Sequence, residues 1–155
     1  MTKRTLGLAF ALACGALLLA LCVACIHAAP PAERLFFALQ IEDGGRVVAR
    51  PQLLGETGKR LTLRLVQPDH PDQPRLALEL VPEKDGDGYR VQLRLAVPDH
   101  EGVKEGALEL AHGEEREMKL ADPVRPMTVK VLLMRVASPE FRTFIRLARA
   151  APATS

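Results

Sequence analysis

Tyr89-Arg90-Val91-Gln92-Leu93-Arg94-Leu95-Ala96-Val97 is the stretch from which the fold is read. Apolar side chains occupy every second position, and a period of two belongs to a strand with one buried face. Working outward, the same alternation recurs at Leu76/Leu78/Leu80, Leu61/Leu63/Leu65 and Leu35/Phe37/Leu39/Ile41. Downstream it returns at Leu108/Leu110, Met118/Leu120 and Met127/Val129/Val131/Leu133. Asp43-Gly44-Gly45 and Asp85-Gly86-Asp87-Gly88 are strong hairpin signals, and Arg46–Arg50 (RVVAR) returns from the first of them. Pro51 cannot donate to a ladder, so it confines that strand to an edge. About eight short strands follow one another with no helical pattern between them. Parallel pairing would need long crossovers, so the expectation is a mainly β chain. It forms a single antiparallel β-sandwich or barrel.

An internal echo supports a hairpin arrangement. Residues 61–70 read LTLRLVQPDH and residues 91–100 read VQLRLAVPDH; at an offset of 30, residues 61–80 and 91–110 agree at ten of twenty positions. A duplicated hairpin accounts for this, whereas a solenoid would need three or more repeats. Side by side, the two hairpins would bring their Asp-His loops to the same end.

The character changes after residue 137. Ser138-Pro139-Glu140 reads as a helix start, with a capping hydroxyl, Pro at the first position and an acid in the first turn. At 100° per residue, Phe141, Phe144, Ile145 and Ala148 gather on one face and Arg142, Arg146 and Arg149 on an adjoining one. Such a basic amphipathic segment (138–149) closes an open end of the sandwich, docks on a partner or lies on an anionic membrane. A final strand through Phe141, Thr143, Ile145 and Leu147 is the alternative. Residues 150–155 are expected to be a disordered tail.

The chain has 155 residues and a formal charge of +2, all of it carried by Lys3 and Arg4; beyond residue 28, 19 Lys and Arg stand against 19 Asp and Glu. A neutral body argues against electrostatically driven nucleic-acid binding. The sequence has no Trp and one Tyr, so stacking platforms are poorly supplied. Lys3 and Arg4, the apolar run Leu6–Ala24 and a small-residue exit are the parts of a secretory signal peptide over residues 1–28, cleaved after Ala28. An uncleaved membrane anchor is one alternative. Lipidation at Cys25 is the other. Cys14, Cys22 and Cys25 all lie in this segment, so a cleaved chain has no thiol for a disulfide or a nucleophile.

The β domain (residues 29–137) offers little catalytic chemistry. Its acids fall at turns or polar strand positions, the only serines beyond the signal segment are Ser138 and Ser155, and no phosphate-cradling loop occurs. Asp85-Gly86-Asp87-Gly88 opens like a calcium loop, but Tyr89 and Ala96 occupy later ligand positions, which leaves a turn. If the echoed loops converge, His70, His100 and either Asp99 or Glu101 supply nitrogen and oxygen ligands for Zn²⁺ or a similar ion. Exposed turn residues are the plainer reading of the same positions.

Val47-Val48-Ala49-Arg50-Pro51-Gln52-Leu53-Leu54, with Gly58 and Leu61-Thr62-Leu63, resembles a strand-turn-strand stretch of outer-membrane secretins. It is also similar to extracytoplasmic domains of bacterial antibiotic-sensor metallopeptidases. The resemblance spans residues 47–63, with Gly55-Glu56-Thr57-Gly58 replacing the Asn-Gly usual in the secretin turn. It implies a β-rich envelope domain, and no functional residue carries over from it.

The expectation is therefore an exported protein of the Gram-negative periplasm that acts by binding an envelope protein and needs no cofactor. Recognition uses a sheet edge marked by Arg50 and a rim formed by Arg142, Arg146 and Arg149. Nucleic acid is not a partner. A membrane is met only through the N-terminal segment, lipidation or the basic C-terminal segment. The alternatives are a lipocalin-like carrier of an apolar ligand and a metal-binding protein built on the Asp-His loops.

Overall fold

The computed structural model describes residues 31–67, 70–98, 100–123 and 125–150, with the side chains of residues 67, 70, 71 and 73 excepted. The leader read over residues 1–28, with Cys25, lies outside the described residues, and so does the tail beyond Ala150. Nine strands and one helix run through the described residues. They are β1 (Arg34–Asp43), β2 (Arg46–Ala49), β3 (Gln52–Glu56), β4 (Leu61–Gln67), β5 (His70–Asp85), β6 (Gly88–Ala96), β7 (Lys104–Leu110), β8 (Glu115–Leu120), β9 (Met127–Arg135) and α1 (Pro139–Ala150).

Every strand pairing is antiparallel, in two sheets. One has the order β2-β1-β9-β8, with β3 also on β1; the other has the order β4-β5-β6-β7. The chain is thus a sandwich of two open sheets and not a closed barrel. The extra strand, β3, escapes the alternation rule because Leu53 and Leu54 are adjacent. Leu53 packs on the core, while Leu54 is 58% exposed. It pairs with the first half of β1 and β2 with the second half, so the break at Arg50-Pro51 lets one edge be built from two short strands.

The alternating runs meet between the sheets. Leu35, Phe37, Leu39 and Ile41 of β1 and Met127, Val129, Val131 and Leu133 of β9 face Leu78 and Leu80 of β5 and Val91, Leu93 and Leu95 of β6. These side chains are buried and pack between the two sheets. At the seams the sheets approach closely. A β-carbon on Gly55 would collide with Leu61, and one on Gly106 with Met118.

The echoed segments are consecutive hairpins of one sheet, β4–β5 and β6–β7, so their loops do emerge at the same end. Asp85-Gly86-Asp87-Gly88 is the tight turn between β5 and β6, with Asp85 opposite Gly88. At that far end, the buried Tyr89 hydroxyl donates to the Glu33 carboxylate, and Lys84 lies 3.5 Å from the same carboxylate and 4.3 Å above the ring. The Tyr89 bond and the Lys84 charge hold the Glu33 carboxyl below its ordinary range; burial and the Glu33 carboxylate push the Tyr89 phenol up.

The C-terminal segment is helical, as its cap predicts, with Phe141 N–H donating to Ser138 Oγ at 3.1 Å. It does not cover an end of the sandwich. Phe36 alternates out of the core, and its ring lies 5.2 Å from Phe141 and 5.3 Å from Phe144, which seats α1 on the outer face of the β1–β9 sheet. His112 tethers the helix start: Nε2 lies 3.2 Å from Glu140, while Arg135 N–H donates to Nδ1. A twelve-residue helix is marginal alone, and burying Phe36 is worth about 1.5–3 kcal/mol, so the aromatic contact decides whether α1 stays folded. Phe36→Ala is expected to cost about 3 kcal/mol and to speed tryptic cleavage at Arg142 and Arg146. An unchanged cleavage rate would show that the aromatic contact does not hold the helix.

Candidate binding site

The end of the sandwich that carries the echoed loops is organised around one histidine. Gly44 and Gly45 both have positive φ (56° and 81°), the geometry of a two-residue hairpin turn that only glycine enters freely. This tight turn fixes Asp43, the last residue of β1, at the rim. His100 lies in the β6–β7 loop with its backbone N–H bonded to Val97 O at 3.0 Å, and Asp122 lies just after β8.

These three residues meet across the two sheets. The His100 side chain is wholly buried; Nδ1 is 2.8 Å from Asp122 Oδ2 and Nε2 is 3.2 Å from Asp43 Oδ2, the latter off hydrogen-bond alignment. Asp122 also takes Lys104 Nζ at 2.8 Å and accepts the Arg125 N–H on Oδ1 at 3.0 Å. Arg125 returns to Asp43 at 3.2 Å. Two carboxylates, an ammonium, a guanidinium and an imidazole thus form one network, and buried charges persist only when matched in this way.

The Asp122 bond is the chief cause of a raised His100 pKa. Burial opposes it, and the Asp43 interaction adds to it. Each ring nitrogen faces a carboxylate, and the buried imidazole is turned inward.

Beside the network opens a cleft of about 510 Å³, lined among the described residues by Asp43, Arg46, Val48, Leu65, Val66, Arg75, Leu76, Val97, Pro98 and Arg125. It lies where β2 of one sheet and β4 of the other diverge. Both flanks are irregular there: the β1–β2 register slips between Ile41 and Glu42, and the β4–β5 register slips at Leu65/Val66 and Val66/Gln67. Bulges of this kind bend a strand and end its pairing early.

The residues marked in the sequence are distributed over two regions. His100 sits in the buried network; the His70 side chain and Asp99 lie outside the described residues, and the described residues contain no group of three or more His, Cys, Asp or Glu side chains placed to hold a metal ion. Arg50 is on the β2–β3 edge, and its Nε donates to Gln40 Oε1 at 3.2 Å. Gln40 points out of the core on the same face as Phe36, so Arg50 shares a face with α1. Arg142, Arg146 and Arg149 are exposed along α1.

Sequence reasoning missed Asp43 and Asp122 as partners, and Arg46, Arg75 and Arg125 as a rim. Asp43 read as a turn residue. Ala121-Asp122-Pro123 carries no local signal, because its partner lies in the other sheet. In comparisons with known proteins, the chain matches no family model, no curated protein and no solved structure.

A raised His100 pKa fixes the sign of a pH effect. Stability from this group is complete below its unfolded pKa, near 6.5, and is lost as pH rises through the higher folded value. The urea midpoint is expected to fall between pH 6 and pH 9, and His100→Gln to flatten that slope. A slope unchanged in the variant would assign it to another group. Asp122→Ala leaves His100 and Lys104 without their carboxylate and is expected to cost about 3 kcal/mol, measured by urea unfolding at pH 6. A cost below about 1 kcal/mol would mean that water replaces the pair.

Proposed function

We propose that this chain is an exported, non-catalytic binding module of the bacterial envelope that docks an acidic protein surface on the outer face of its β1–β9 sheet. The observation that carries the reading is the row Arg142, Arg146 and Arg149. These side chains are exposed on a helix whose aromatic face is already engaged, and none has an ion-pair partner among the described residues. Guanidinium groups are suited to bidentate carboxylate recognition. Arg50 extends the same face toward the open β2–β3 edge, where unpaired backbone groups are available to a partner strand.

A protein surface fits this face better than a bilayer. Interfacial helices bury an apolar face in the headgroup region, and here Phe141 and Phe144 are spent on Phe36, leaving Leu147, 66% exposed, as the helix's large free apolar side chain. Export rests on the N-terminal pattern of Lys3, Arg4 and the apolar run, and the non-catalytic reading on the inward-turned His100 and the scarcity of nucleophiles.

Photo-crosslinking in the periplasm tests the reading. A crosslinker at Arg146 and one at Arg50 should trap the same acidic envelope protein, while one at Gln92 on the opposite sheet should not. Arg142→Glu with Arg149→Glu should reduce the Arg146 product at least tenfold while the far-UV spectrum keeps its sheet signal. Equal products from Arg146 and Gln92, or a product indifferent to the charge reversal, would overturn the proposal.

A further inference from the structure

We infer that the cleft between β2 and β4 is a second binding site, one that takes a single-chain amphiphile with a carboxylate head, such as a medium-chain fatty acid. The proposal concerns the end of the sandwich rather than the α1 face and does not depend on the docking reading above.

Four observations carry it. The first is continuity with the core: Val48, Leu65 and Val97 pack against the buried cluster and Leu76 belongs to it, so the cleft floor is an opening into the apolar layer. The second is the rim. Arg46 and Arg75 line the cavity, are exposed, and have no ion-pair partner among the described residues; Arg125 lines it too and is already shared with Asp43. The third is size, since about 510 Å³ lies within the ordinary range for small-molecule sites. The fourth is that both flanking strand pairs lose register at this point, which holds the gap open instead of letting β2 and β4 pair.

Apolar floor and cationic rim together select an amphiphile. A tail alone would leave Arg46 and Arg75 unanswered, and a head alone would leave Leu65, Val66 and Val97 wet. Asp43 lines the same cavity, and its Oδ1 is buried without a hydrogen-bond partner among the described residues. Part of that negative charge is met by Arg125 and His100, and the remainder disfavours a dianionic phosphate head and favours a monoanion. Each buried methylene strengthens binding about fourfold, so affinity should climb with tail length until the cleft is full.

The test is native mass spectrometry and NMR shift mapping with decanoate, octanoate and decyltrimethylammonium below their micelle concentrations. The protein is that recovered from expression of the full chain. Decanoate should bind one to one, roughly fifteenfold tighter than octanoate, and at least tenfold tighter than the cationic analogue, with the largest shifts at Leu65, Val66 and Val97. Arg46→Ala with Arg75→Ala should weaken decanoate at least tenfold, and these exposed, unpaired side chains can be removed without disturbing the sheet spectrum. Arg142→Ala with Arg146→Ala should leave it unchanged, which separates this site from the α1 face. Equal binding of the cationic analogue would overturn the proposal, and so would indifference to the Arg46/Arg75 pair or shifts centred on α1.

Discussion

An imidazole held between two carboxylates is the constraint on which the open end of this sandwich depends. His100 comes from the loop joining β6 to β7, whereas Asp43 ends β1 and Asp122 follows β8 of the other sheet. The network therefore fastens one sheet to the other where no backbone ladder does. Apolar burial supplies most of the driving force between the sheets, but it is non-directional. The charged contacts have direction, and they fix which turn lies over which. At the far end, Tyr89, Glu33 and Lys84 do the same with a phenol, a carboxylate and an ammonium. Between the two fasteners the interior is filled by side chains. That pushes any ligand chemistry to the margins: the outer face bearing α1, and the gap between β2 and β4.

The two candidate regions share the same physics, guanidinium groups left without partners beside apolar surface. They differ in shape. On α1 the arginines form an open row on a convex element, which suits a macromolecular surface. At the cleft they stand over a concavity that reaches the core, which suits a small amphiphile. Burial of His100 ties the second region to the fold, because Asp43 is at once a carboxylate of the buried network and a wall of the cleft.

How far the sequence could be read follows from the range of each signal. The alternation at Tyr89–Val97 is local and repeated, so the antiparallel β class and the common end of the echoed hairpins were legible in it. The cap at Ser138-Pro139-Glu140 is local too, and it marked the helix. β3 was not legible, because Leu53-Leu54 breaks the alternation and only pairing with β1 makes it a strand. Sandwich and barrel give the same alternation, and the choice rests on whether edge strands pair across the seams. The seat of α1 on Phe36 was hidden because an outward Phe in a strand looks like any other position of that run. Among the site residues, His100 stood out through its repeated Pro-Asp-His setting, but its partners lie 57 and 22 residues away in sequence and carry no mark of their own. The cleft arginines are likewise scattered over three segments.

The central claim is that His100 is a buried imidazole, set between the carboxylates of Asp122 and Asp43, that joins the two sheets, and its NMR titration tests that most directly. The account predicts a midpoint above the ordinary 6.5, with Asp122→Asn lowering the midpoint. A midpoint at or below 6.5, or a neutral single tautomer at pH 6, would contradict it.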